Sequence, residues 1–311
     1  RQVADFLLGA WPMVLVLAGL VVFRLVYYGE PVPNTFYAKT GGGLDAVGRG
    51  LAYLAAHAVA HPLLWILVVL RAVSPWLLGT PLGRSSRVAL ATASLYLASV
   101  AALGGDFKPT GRFVHPVTPF LALLAGEALV AGARRVQRTA RWGLAAAVLG
   151  LGLASGLVVA REAGATARDR HANLEARKVL GEWLAAHFPA DTVLAIHSAG
   201  AVPYYAGLPT LDMWGLTDPY IARRPAAGRG LAGHQKTDPV YVFAQRPALY
   251  VPEDHAFVLK PWRLEPEPGF PPDFEVHYRA ISVPVEGRWF NAWIRADLVL
   301  GPPGPDRTPP P

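Results

Sequence analysis

Two stretches of the chain set cations among aromatic residues and turn formers. Residues 27–39 hold Tyr28, Glu30, Asn34, Phe36, Tyr37 and Lys39, and residues 104–116 hold Asp106, Lys108, Arg112 and Phe113. If the flanking apolar runs cross a bilayer, Lys39, Lys108 and Arg112 stand at headgroup level, where a lipid phosphate would lie. Asp106, beside two glycines, is then a carboxylate in a tight turn close to those cations. The plainer reading of both stretches is an interfacial aromatic belt with simple turns. A third group lies further on. His197, Ser198 and Gly200 follow one expected strand, Asp212 ends the next, and Asp218 stands in the turn beyond, near Trp214 and Tyr220. Carboxylates beside aromatic faces suit a sugar, whose C–H side packs on a ring while its hydroxyls donate to the acid. Turn and cap duty is the competing role for Ser198 and Asp218.

Other chemistries have no support. The chain has no cysteine, which excludes disulfides, thiolate nucleophiles and zinc–thiolate or iron–sulfur sites. It contains no GxSxG elbow or P-loop, and its one GxGxxG run, residues 228–233, does not directly follow an expected strand, so hydrolase, kinase and dinucleotide readings lack a starting point. No nucleotide, metal or other cofactor site is evident. His57 and His61 share i,i+4 spacing without a nearby carboxylate, and helix packing is the expected role. Glu127 stands seven residues before Arg134 and is expected to reach toward that arginine cluster.

The elements that must position these residues divide the chain in two. Of its 311 residues 52% are hydrophobic and only 16% charged, against about 25% charged in a soluble domain. Five apolar segments, residues 6–26, 51–70, 88–103, 114–133 and 142–160, approach the roughly 20 residues a bilayer core demands. They must be helical, because irregular backbone cannot face lipid. The expectation is a multi-pass α-helical membrane domain over residues 1–160, with five helices, followed by a small α/β extracytoplasmic domain over residues 161–300. The first run is too long for a signal peptide, and a chain that opens on Arg1 is expected to be a piece of a longer protein.

Arginine placement sets the expected orientation. With the N-terminus inside, eight basic residues fall on inner loops and four on outer loops; three more arginines open the domain after the fifth helix. The formal charge of +7 is therefore mostly a topology signal, and no clustered basic face points to nucleic acid.

In the second half, residues 173–188 pattern as an amphipathic helix with Asn173 as cap. Short strands are expected over residues 192–197, 208–213 and 247–252, with a helix over residues 238–245. Residues 274–285 and 288–300 alternate around Glu286-Gly287 and predict a hairpin. Residues 301–311 hold six prolines and are expected to be disordered.

Three blocks taken together carry a resemblance. They are Tyr27-Tyr28-Gly29 through Pro33-Asn34-Thr35-Phe36-Tyr37-Ala38-Lys39; Gly104-Gly105-Asp106 through Arg112-Phe113 and Pro116; and Ala199-Gly200 through Pro203-Tyr204-Tyr205-Ala206-Gly207-Leu208-Pro209, with Asp212 and Gly215-Leu216-Thr217-Asp218. Their order over residues 6–225 resembles bacterial GT-C membrane glycosyltransferases, in particular those similar to the mycobacterial terminal β-(1→2)-arabinofuranosyltransferase. The resemblance implies a multi-pass enzyme of the bacterial inner membrane. Such an enzyme moves a sugar, arabinose being the nearest named example, from a polyprenyl-phosphate donor to an envelope glycan or lipid acceptor on the periplasmic side. It further implies Lys39, Lys108 and Arg112 at the donor phosphate and Tyr28, Asn34, Tyr37, Asp212 and Asp218 at substrate. Asp106 supports a catalytic carboxylate that is expected upstream of Arg1. The rival classes are a transporter and a membrane-anchored protein with an extracytoplasmic ligand-binding domain.

Overall fold

The computed structural model describes residues 2–106, 111–135, 137–226, 233–252 and 256–300. Lys108 and the 301–311 tail lie outside the described residues. Seven helices come first: α1 Gln2–Tyr28, α2 Asn34–Lys39, α3 Gly43–Ala60, α4 Pro62–Leu78, α5 Arg84–Ala102, α6 Thr118–Arg135 and α7 Arg138–His187. A mixed layer follows: β1 Leu194–Ile196, α8 Ala201–Ala206, β2 Thr210–Asp212, α9 Pro219–Ala222, α10 Pro239–Ala244, β3 Leu249–Val251, β4 Phe257–Val258, α11 Phe274–His277, β5 Tyr278–Val285 and β6 Arg288–Arg295.

By length and composition the helical half suits a membrane, but not with five spans. Among the described residues three helices are long and apolar enough to cross, Gly9–Tyr28, His115–Arg135 and Ala145–His187, and a fourth crossing exists if α3 and α4 count as one bent span. The expected straight segment at 51–70 is bent by 106° at His61. Pro62 explains the break: it lacks an N–H and pushes the residue before it out of helical geometry, so α3 stops and α4 begins with proline in its first turn. His57 and His61 therefore do not share a helix, and His57 Nδ1 accepts from Trp65 Nε1 at 3.0 Å across the bend. The segment expected at 88–103 lies in α5, whose serines and opening arginines keep it below the apolarity of a span. Its small residues Ser86, Ala89, Ala93, Val100 and Ala101 are buried. Glu127 does not reach for Arg134 but pairs with Arg71 across α4 and α6 at 2.7 Å.

The last helix corrects a second expectation. Residues 142–160 and 173–188 are one helix of 50 residues, about 75 Å long at 1.5 Å per residue. Asn173 sits inside it and caps nothing. No proline interrupts residues 138–188, so the backbone ladder continues from apolar to polar sequence without a break, and the boundary drawn at 160/161 falls within a rod.

Sheet order is β2-β1-β3-β6-β4, with β5 on the other edge of β6. Strands β1, β2 and β3 are parallel, and β6 runs antiparallel to β3, β4 and β5. Alternation divides the core. Leu194, Ile196, Leu249, Val251, Phe290, Ala292 and Ile294 face Leu180, Leu184 and Phe188 of α7. Ala195, Tyr250 and Trp293 face Met213, Ile221, Phe243 and Phe274 on the opposite side. The expected hairpin is present. Its turn places Glu286 and Gly287 at φ 43° and 77°, the left-handed pair that a two-residue connection demands.

Helices α3 and α5 cross so closely that a Cβ on Gly50 would stand 2.2 Å from the Ala101 carbonyl oxygen, whereas a Cβ on Gly48 meets nothing within 4 Å. Gly50→Ala is expected to separate the two helices and lower the melting temperature of the purified protein by several degrees. Gly48→Ala, on the same helix, should leave it unchanged or slightly higher. Equal effects of the two would remove this contact from the fold's supports.

Candidate functional site

The parallel strands β1 and β2 end side by side, which brings His197 next to Met213 and Trp214 beyond the carboxyl edge of the sheet. This is the edge where open parallel sheets gather ligands. Asp212, almost fully buried, shapes the loop there. Its Oδ1 accepts from the Trp214 N–H at 3.0 Å, and its Oδ2 accepts from the Thr217 N–H at 2.8 Å and the Thr217 hydroxyl at 3.1 Å. Gly215 follows at φ 73°, and a Cβ there would stand 2.5 Å from the Ala222 nitrogen, so only glycine fits. Asp218 caps α9, accepting from the Ile221 N–H at 2.9 Å, and its other oxygen accepts from the Tyr241 hydroxyl at 3.1 Å. Both aspartates thus direct their carboxylates into the loop they organise.

Segment 30–40, the first loop expected to bind donor, docks onto this edge. Asn34 Nδ2 donates to the carbonyls of Gly215 and Leu216 at 2.8 and 3.2 Å. Tyr37 donates its hydroxyl to Glu30 at 2.9 Å, which raises its pKa, and lies under the Arg223 guanidinium at 4.6 Å. Arg223 also pairs with Glu30. The deepest tie is Lys236, buried, whose Nζ donates to the carbonyls of Tyr37 at 2.7 Å and Ala222 at 2.8 Å. These are last-turn carbonyls of α2 and α9; that of Tyr37 also accepts from the Thr40 N–H at 3.4 Å. No carboxylate pairs with Lys236 among the described residues, and burial pushes its pKa down.

The second loop rests on one face of α3. Gly104, Gly105 and Gly111, at φ 89°, 66° and 65°, lie against Ala46, Tyr53 and His57 in turn. The Tyr53 hydroxyl accepts from the Phe113 N–H at 3.0 Å. Asp106 and Arg112, separately expected as carboxylate and phosphate ligand, are paired with each other through both carboxylate oxygens. The Arg112 guanidinium also stands 5.1 Å from the Phe113 ring centre. Tyr28 is elsewhere: it sits at the end of α1 in a cluster with Phe23, Tyr27 and Arg24, as an interfacial belt would place it.

Between the two loops runs residues 233–236, which sequence reasoning did not single out. Lys39 packs along Gly233 and makes no hydrogen bond or ion pair among the described residues. Arg49 of α3 donates to Gln235 Oε1 at 3.1 Å and reaches Gly104 as well. His234 stacks on Trp214 at 3.7 Å between ring centres, and His197 stands 5.3 Å from the same indole. The result is a seam in which Lys39 lies against Gly233 and Arg49 against Gln235, the two chain neighbours of a stacked imidazole. One signal for it was present in the sequence: His234-Gln235-Lys236 is a compact polar run between turn formers.

His234 supplies a pH test. Burial, and secondarily the charge of Lys39, lower its pKa below the ordinary imidazole value of 6.5. The folded protein therefore binds fewer protons than the unfolded chain near that pH, and stability should fall as pH drops through about 6.5. His234→Phe keeps the stack and should flatten that slope. For Lys236→Met, which preserves the stem but removes both hydrogen bonds and strands the Ala222 carbonyl, a stability loss of about 1–3 kcal/mol is expected in denaturant melts. A melt indistinguishable from the parent protein would deny Lys236 its fastening role.

Comparison with known proteins bears on the second half of the chain. Residues 159–297, from the middle of α7 to just beyond β6, match the model of a domain of unknown function, DUF8728. No curated protein and no solved structure matches the chain.

Proposed function

We propose that the chain is part of a membrane glycosyltransferase that uses a polyprenyl-phosphate sugar donor and an envelope glycan or lipid acceptor, working on the face of the membrane that carries the α/β domain. The observation supporting this reading is the seam. Lys39 at the end of α2 and Arg49 on α3 flank His234, at the level where the helical half meets the sheet. Two cations there suit the phosphate of a lipid whose chain stays among the helices. When the glycosyl–oxygen bond to that phosphate breaks, negative charge grows on the departing phosphate oxygens, and fixed cations stabilise it. His234, held against Trp214, stands beside them.

Under this reading the carboxylates first considered for chemistry serve geometry. Asp106 holds Arg112, Asp212 shapes the 213–217 loop, and Asp218 caps α9. Asn34 and Tyr37 fasten the donor loop to the domain. The proton of the acceptor hydroxyl then goes to a base outside this set.

The test is direct binding. In nanodiscs containing the full chain, Lys39→Ala and Arg49→Ala should each weaken binding of a polyprenyl phosphate on the order of tenfold to a hundredfold, with melting temperature held. Sugar transfer from the labelled lipid in membranes should fall in parallel. Parent-like affinity in both variants would sink the assignment.

A further inference from the structure

A second polar centre lies at the far end of the helical bundle. Arg71 of α4 donates through Nε to Glu127 Oε2 of α6 at 2.7 Å, through Nη1 to Ser74 at 2.9 Å and through Nη2 to Ser86 at 3.2 Å. Ser86 donates to the same Glu127 oxygen at 2.6 Å. Distance along α5 places this cluster. Ser86 belongs to it, while Ala101, fifteen residues on, packs against Gly50 beneath the seam; that separation is about 22 Å of helix.

Arg71 and Glu127 line a groove of about 860 Å³ between α4 and α6. Their charges cancel. Its walls include Leu70, Leu78, Leu123 and Val130, all exposed, and its rim carries Arg134 and Arg135. Neither of these two arginines has an ion pair among the described residues, and no acid occurs in residues 71–87 or 128–141. The groove is thus an apolar trough along the helices, neutral on its floor and doubly positive at its end. A bilayer lipid with an anionic headgroup matches that order of surfaces: acyl chain against leucine and valine, phosphate against the arginines. A soluble anion would leave the walls uncovered, and a zwitterionic lipid would set its own cation against two arginines.

We propose that this groove binds an anionic phospholipid of the surrounding bilayer, with the headgroup phosphate on Arg134 and Arg135. The site is independent of the glycosyl-transfer reading and lies at the opposite end of the bundle from Lys39 and Arg49. Gly126 lines the groove, and a Cβ there meets nothing within 4 Å, so Gly126→Leu starts from open space and takes up groove volume.

The test uses the full chain purified in detergent and titrated with phosphatidylglycerol, phosphatidylcholine or inorganic phosphate, read by native mass spectrometry and melting temperature. Phosphatidylglycerol should be retained and should raise the melting temperature; the other two should not. Arg134→Gln and Arg135→Gln should each lower its affinity about fivefold, and Gly126→Leu should abolish retention. If Gly126→Leu impairs folding, the arginine variants decide alone. Equal retention of phosphatidylcholine, equal protection by inorganic phosphate, or arginine variants with parent affinity would each overturn the proposal.

Discussion

The ammonium of Lys236 is the constraint on which the arrangement of the two halves depends. A buried lysine without a counter-ion is costly unless every donor finds an acceptor. Here the acceptors are last-turn carbonyls of two short helices, one in the loop after α1 and one after the sheet's second strand. Such carbonyls are electron-rich, and that of Tyr37 also takes the Thr40 N–H. One side chain therefore bonds groups on both sides of the seam, and its position requires α2 and α9 to meet. Asn34 makes the same join through the carbonyls of Gly215 and Leu216.

Helix α7 supplies the other connection. It is an unbroken rod whose last turns carry Leu180, Leu184 and Phe188 into the sheet's core, while its apolar first part is exposed. The seam joins two regions distant in sequence: Lys39 and Arg49 lie ten positions apart, and His234 stands almost 200 positions further on.

Polar residues among the helices obey a common rule of low-dielectric surroundings, where an unpaired donor or charge is expensive. Arg71 saturates on Glu127, Ser74 and Ser86. Asp106 takes Arg112, and Trp65 takes His57. These residues are spent on neighbours. Lys39 near the sheet and Arg134 and Arg135 at the far end are exposed and have no ion pair among the described residues.

Local physical chemistry, read along the chain, was enough for the apolar helical half, the short buried strands β1 and β3, and the β5–β6 hairpin with its left-handed Glu286-Gly287 turn. Each depends on hydrophobic period or turn residues within a few positions. The bend at His61 and the continuity of α7 were missed, although Pro62 and the absence of proline from residues 138–188 carried the signal for both. Asp218 as a cap was among the readings its spacing allowed. Partner choice was not legible. Nothing local distinguishes Lys236 as a buried fastener from an ordinary surface lysine, or joins Arg49 to Gln235 across 186 positions. Nor does it show that Asp106 and Arg112 neutralise each other while Lys39 stays unpaired. Those outcomes are settled by which groups the folded chain brings within hydrogen-bond range, because burial and pairing energies depend on distance in space and carry no trace in sequence separation.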